Sequence, residues 1–331
     1  MLKTVVSVAL PVGEHLKIRK NVIQGNHTGK RLCVVTGTHG DELEGQFVCY
    51  ELARRLNEGL EHLHGSVEIY PALNPLGIDS IERGFPGFDL DMNRIFPGVQ
   101  NGHLAENTAY EIVQDLLNAD MVLDIHSSNI FLKEVMQVRV SDITAETLVP
   151  YAKLLNTDFI WIHDAATVLE STLAHSLNIN GTKTLVVEMG IGMRITREYG
   201  ERLVQGIFNL MQSMEMWSGE NDSNIANSEE LNKTLSNKTR NSSEPTIANS
   251  ILSTNGEVHF MNADASGIII PSALHSSFVV EGERLCQIVD PFEGKVLQDI
   301  LSPVDGFLFT LRTYPIVYEG SLIARIYEEK K

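Results

Sequence analysis

Between Arg31 and Trp217, short apolar runs alternate with stretches of helical period. Leu32–Thr36, Val67–Ala72, Met121–His126, Phe159–His163 and Thr184–Glu188 are brief and rich in β-branched or aromatic residues, as expected of strands covered on both faces. Met1–Gly13 reads as a first strand, broken at Pro11. Leu43, Phe47, Tyr50, Ala53 and Leu56 recur at helical spacing, with Gly59 as the stop. Leu203, Ile207, Met211, Met214 and Trp217 make a second stripe, and both stripes predict helices packed on a core. The alternation predicts an α/β layer domain with a mainly parallel or mixed sheet over residues 1–218.

The pattern then changes. Residues 219–250 hold seven asparagines and no aromatic side chain, too little apolar surface to offset the entropy of ordering, and predict a flexible linker or insertion. In residues 251–331, short strands punctuated by glycines at 267, 282, 294, 306 and 320 predict a small all-β domain of barrel-sandwich pattern. Its Val304-Asp305-Gly306 turn has no lysine to carry a prosthetic group, so a structural or access-limiting role is expected.

Composition adds exclusions. A net charge of -17, with no basic stripe, argues against a nucleic-acid or anionic-membrane partner. No apolar run approaches the roughly 20 residues of a membrane helix. No small-residue cleavage site follows the N-terminal apolar run. Cys33, Cys49 and Cys286 are widely spaced among apolar neighbours, which suits reduced core thiols in a cytoplasmic protein. A homodimer is compatible with all of this.

Candidate chemistry gathers where apolar strands end. His39 and Glu42, in "GTHGDE", follow the first core strand; spaced three apart, they fall on one side of a tight turn or first helical turn. Alone, such a pair also describes many solvated helix starts. His126 closes a second strand in "LDIHSS", and Glu188 closes a third in "TLVVEMG", where an unpartnered carboxylate would be costly. Ligands of open α/β sheets bind beyond the carboxyl ends of the strands, so these groups are expected to converge. A glycine- and proline-rich loop, "ERGFPGFDLDMNRIFPG", places Arg83, Asn93 and Arg94 where they could border the same crevice.

"GTHGDE", "DMNRIFPG", "LDIHSS" and "VVEMG", in that order, resemble the succinylglutamate desuccinylase/aspartoacylase family, a branch of the zinc carboxypeptidase superfamily. The resemblance spans about Arg31–Trp217, and the β-rich tail fits it too. It implies a zinc-carboxypeptidase-like mixed sheet flanked by helices and one Zn²⁺ per chain, held by His39, Glu42 and His126 with water in the fourth position. Glu188 would be the general base, and Arg83 would polarise the scissile carbonyl. Asn93 and Arg94 would hold the α-carboxylate of a small N-acyl amino acid. Asp41 and Met92 stand where asparagine and leucine are usual; both neighbour key groups and replace none.

The implied reaction is removal of an acyl group by metal-activated water. The alternatives are a metallocarboxypeptidase acting on peptides, which needs an open groove, and a binding module with a degenerate site. No motif defines the acyl pocket. Arg139 could meet an acidic group of the substrate or be a strand arginine paired at the surface. His163, at a strand end, could line the pocket, and Tyr314 could reach it from the β domain. His62 and His64 read as a solvated turn.

Overall fold

The computed structural model describes residues 1–88, 90–164, 170–219 and 250–329. The first part of the chain runs β1 (Leu2–Ala9), β2 (His15–Gln24), β3 (His27–Thr36), α1 (Glu44–Glu58), β4 (His64–Tyr70), α2 (Pro75–Ser80), α3 (Leu104–Leu116) and β5 (Met121–Ser127). Then follow β6 (Leu132–Ser141), α4 (Ala145–Ala152), β7 (Phe159–His163), α5 (Leu173–Ile179), β8 (Thr184–Gly190) and α6 (Arg197–Ser213). The tail contributes β9 (Ile251–Thr254), β10 (Val258–Asn262), β11 (Gly267–Pro271), β12 (Ser277–Val279), β13 (Arg284–Asp290), β14 (Lys295–Leu301), β15 (Gly306–Arg312), β16 (Ile316–Val317) and β17 (Leu322–Glu328).

A mixed sheet of 13 strands carries the spine β1-β2-β4-β3-β5-β8-β6-β15-β17-β10, with helices on both faces. β4, β3, β5 and β8 are parallel, and β6 runs antiparallel to β8. The chain therefore has the expected α/β class with a C-terminal antiparallel β sheet, β14-β13-β11-β16. Not every tail strand stands apart, however: β15 pairs with β6, β17 with β15, and β9 with β7. Pairing of edges so distant in sequence leaves no local pattern, so sequence periodicity missed it. The segment read as a linker lies, from 220 to 249, outside the described residues.

Alternation along the strands decides which side chains face which layer. Leu32 and Val34 of β3, Leu123 and Ile125 of β5, and Leu185, Val187 and Met189 of β8 join one core with α1, α4 and α6. Cys33, Val35 and Val122 join the other with α3 and α5. Two-sided burial is why these strands read as nearly unbroken apolar runs. Cys33, Cys49 and Cys286 are buried free thiols.

The five strand expectations correspond to β3, β4, β5, β7 and β8, and the N-terminal one to β1. β2 and β6 were passed over because their charged and polar residues break the apolar runs. The stripe expected on the first helix is rotated by part of a turn: Leu56 is buried and Ala53 packs against the core as expected, while Phe47 and Tyr50 lie off the buried face. The buried stripe is Val48, Cys49, Leu52 and Leu56, whereas Tyr50 is 62% exposed. α6 buries Leu203, Ile207 and Met211 as expected, and Trp217 packs beyond its end against Phe208.

Candidate active site

β3 ends at Thr36, and α1 does not begin until Glu44, so His39 and Glu42 belong to the connecting loop rather than to a helix. A close turn presents them together, with the Glu42 N–H donating to the His39 carbonyl at 3.4 Å. Gly40 is required there: a Cβ on it would lie 2.0 Å from the Gly77 carbonyl carbon. The Gly40 N–H donates to the Glu82 carbonyl at 3.1 Å, which brings the loop carrying Arg83 alongside.

His126 lies one strand over from this loop, because β5 is hydrogen-bonded to β3, and its ring centroid is 5.3 Å from that of His39. It alternates away from Leu123 and Ile125 and so faces the α3/α5 side, as Asp124 does. Parallel register sets His126 opposite Glu188 and Asp124 opposite Val186. Three strand ends thus feed a single cavity of about 270 Å³ lined by His39, Glu42, His126, Glu188, Arg83, Asn93 and Arg94. All seven residues singled out in the sequence meet here.

Both imidazoles turn the same nitrogen toward one carboxylate. His39 Nδ1 is 2.7 Å from Glu42 Oε1, and His126 Nδ1 is 3.0 Å from Glu42 Oε2. The ligand atoms of this buried trio lie within 4.8 Å of one another, a group that could hold a metal ion. The opposite ring nitrogens face two further carboxylates. His39 Nε2 is 2.9 Å from Asp91 Oδ1, and His126 Nε2 is 3.1 Å from Asp124 Oδ1. The Asp124 contact is close but poorly aligned, and both its buried carboxylate oxygens lack a hydrogen-bond partner among the described residues. A proton drawn to Nε2 leaves the Nδ1 lone pair free for a cation, so the donor set fits a divalent metal with an outer ring of carboxylates.

Electrostatics follow the same geometry. Burial works against charge on Glu42, but His39 and His126 outweigh it and hold the carboxyl well below its usual range. Burial likewise opposes a charged His39, and Glu42 with Asp91 overcomes it to raise the pKa. Glu188 goes the other way. Burial raises its pKa despite opposing pull from Arg139 and His126. A carboxylate that resists ionisation beside a possible metal site is suited to accept a proton.

Arg83 donates from Nη1 to Glu42 Oε1 at 2.7 Å, and its Nη2 is 3.8 Å from Asp91. Asn93 and Arg94 sit in a short 3₁₀ turn, Met92–Arg94, capped by Asp91, whose Oδ1 accepts from the Asn93 N–H at 2.8 Å. Asn93 Oδ1 accepts from the Leu173 N–H, which ties this loop to the start of α5.

Other sequence expectations divide. His163 lines the cavity. Tyr314 packs edge-on against Phe131 and is not among the cavity residues. His62 sits against Trp217, and His64 stacks on His27. Arg139 is neither free nor a surface arginine: it lines the cavity, 3.4 Å from Glu188 and 3.1 Å from Glu134. Sequence reasoning missed Asp91, Asp124 and Glu134. The first two stand two residues before Asn93 and His126 within the quoted motifs, a signal that was there to be used; Glu134 had none.

A mixed sheet whose parallel strands end in a His–Glu–His trio, with a carboxylate on the next strand, defines a hydrolase-type site able to hold a metal. The chain belongs to the succinylglutamate desuccinylase/aspartoacylase family, whose catalytic-domain model matches residues 28–214. Membership supports a hydrolase acting on amides.

A curated relative, the N-alpha-acetyl-L-2,4-diaminobutyric acid deacetylase of Halomonas elongata, is 34% identical over 100 residues. That match covers 30% of this chain and only 29% of the relative's length. Among solved structures, a succinylglutamate desuccinylase/aspartoacylase from Rhodobacter sphaeroides aligns with a TM-score of 0.80 at 20% identity, covering 100% of this chain and 96% of that one. The product-bound ectoine utilization protein EutE (DoeB) of Ruegeria pomeroyi gives 0.78 at 18% identity, covering 98% and 93%. At such identities the likeness shows the fold. Among the described residues, no helix is long and apolar enough to cross a membrane.

Proposed function

We propose that the protein is a zinc-dependent deacylase that hydrolyses the amide of a small N-acyl amino acid, releasing a carboxylic acid and an amine. The observation that carries this reading is the convergence of both Nδ1 atoms on Glu42, one strand away from Glu188. His39, Glu42 and His126 would hold the cation. When bound, it supplies Lewis-acid polarisation and lowers the pKa of water to about 7.

Glu188 takes a proton from the attacking water and delivers it to the leaving nitrogen as the C–N bond breaks. Its raised pKa favours both halves of that transfer. Arg83, whose Nη1 is held by Glu42, offers its remaining N–H groups to the oxygen of the scissile carbonyl, where negative charge grows. The Arg94 guanidinium pairs with the substrate carboxylate, and the Asn93 amide NH₂ adds a donor, its own oxygen being committed to Leu173.

A cavity of about 270 Å³ suits one small molecule better than an extended peptide, which favours deacylation over the carboxypeptidase alternative. The test is a panel of N-acyl amino acids and blocked dipeptides given to the zinc-loaded protein, with amine release and metal content measured. Cleavage of dipeptides alone, or binding without turnover, would refute the reading.

A further inference from the structure

The cavity does not end at Glu188. Strand order continues β5-β8-β6-β15-β17, so beyond the base the floor passes to β6 and to the tail strands. Three charged residues occupy that side: Glu134 and Arg139 of β6, and Arg325 of β17, all lining the cavity. Glu134 is 2% exposed. Its carboxylate accepts from Arg139 Nη2 at 3.1 and 3.3 Å, from Gln137 Nε2 at 3.0 Å and from Arg325 Nη1. Arg139 is further engaged by Glu188 at 3.4 Å. Both guanidiniums are therefore engaged by carboxylates through their Nη atoms, while the Nε of each is buried and without a hydrogen-bond partner among the described residues.

The metal-ligand side is arranged differently. Arg83 is paired with Glu42, whereas the Arg94 side chain donates to the Asn93 carbonyl and has no carboxylate partner among the described residues. Among the described residues, no lysine lines the cavity. Among the described residues, the site thus offers one guanidinium without a carboxylate partner, near the loop beside His39, and none on the opposite side of Glu188.

We infer that Glu134 is a specificity residue: by holding Arg139 and Arg325 it restricts the site to N-acyl amino acids whose acyl group is uncharged, and turns away dicarboxylic acyl groups. This rests on the deacylase reading. With the substrate's own carboxylate on Arg94, the acyl group extends past Glu188 over β6 and β17. A second carboxylate there would meet Glu134 and could draw Arg139 or Arg325 to itself only by weakening a buried ion pair, which is strongly unfavourable.

The experiment compares kcat/KM of the zinc-loaded protein on matched N-acetyl, N-propionyl and N-succinyl derivatives of the same amino acids. Acetyl or propionyl forms should be preferred over succinyl by about 100-fold, since like charges set against each other cost several kcal/mol. Glu134→Gln should narrow that ratio by about tenfold or more, mainly through KM for the succinyl substrates, as it removes the charge that holds Arg325 and helps to hold Arg139. In the wild type, propionate should inhibit competitively and succinate should not. That comparison decides the matter even if Glu134→Gln fails to fold, which a thermal melt would reveal. Equal turnover of succinyl and acetyl substrates, inhibition by succinate as strong as by propionate, or an unchanged ratio in a folded Glu134→Gln would overturn the inference alone. No cleavage of any N-acyl compound would instead bring down the deacylase reading, and this inference with it.

Discussion

Asp91 offers a sharp test of the metal-centre reading, because one substitution separates its charge from its shape. Oδ1 of Asp91 accepts from His39 Nε2 at 2.9 Å and from the Asn93 N–H at 2.8 Å. Burial works against its charge, but His39 and Arg83 prevail and its pKa falls to about 2, so it is an anion under any working condition. Asp91→Asn keeps an oxygen able to accept both hydrogen bonds and removes the negative charge behind the imidazole. His39 Nδ1 then becomes a poorer donor to a cation. Loss of such an outer carboxylate typically weakens metal binding by about 10–100-fold. At 1.36 kcal/mol per tenfold that is about 1.4–2.7 kcal/mol. The assay is competition for Zn²⁺ against a chromogenic chelator, with thermal unfolding of the metal-free protein alongside. Stability of the metal-free form should fall by at most about 2 kcal/mol, the worth of the charge that lowers the Asp91 pKa, since both hydrogen bonds survive. A folded Asp91→Asn protein that competes for Zn²⁺ as well as wild type would refute the reasoning, because the charge behind His39 would then have no bearing on its donor strength.

Glu188→Gln should retain Zn²⁺ while kcat falls by about 10²–10⁴, the range for losing a general base; near-normal turnover removes Glu188 from the reaction. Arg94→Lys should raise KM by about tenfold with little change in kcat, since lysine loses the bidentate fork worth about 1.5 kcal/mol or more. Away from the site, buried Glu68 accepts from Lys20, Arg31 and Tyr70 at 2.9, 2.8 and 2.9 Å. Burial raises its pKa, but the partners win and set it at about 2. A folded pKa below the unfolded value means the stabilisation is present above about pH 4 and is lost as pH falls toward 2, at most roughly 3 kcal/mol. Melts of wild type and Glu68→Gln at pH 7 and pH 3 should show their difference shrinking at the lower pH; a constant difference would contradict this.

From the residues alone one could read the order of the central parallel strands, their two-sided burial and the seven principal groups of the site, but not β2, β6 or the outer carboxylates. These are local properties. An apolar run such as Val122-Leu123 is unbroken because both sheet faces are covered, and His39, His126 and Glu188 are conspicuous because each interrupts such a run at its carboxyl end. Tertiary structure alone decided what lies between them. Which nitrogen of each imidazole faces Glu42 depends on Asp91 and Asp124 behind the rings. Whether Arg139 was a surface pair or a substrate contact could not be read from "MQVRV", since its partners Glu134 and Glu188 reach it through a strand bulge and a neighbouring strand. Arg325 is more remote still, separated from Glu134 by 191 positions and joined to it because β17 pairs with β15 and β15 with β6. Hydrophobic periodicity reports only whether a position is covered. It carries no record of which distant strand supplies the cover, and charge pairing across a sheet depends on that.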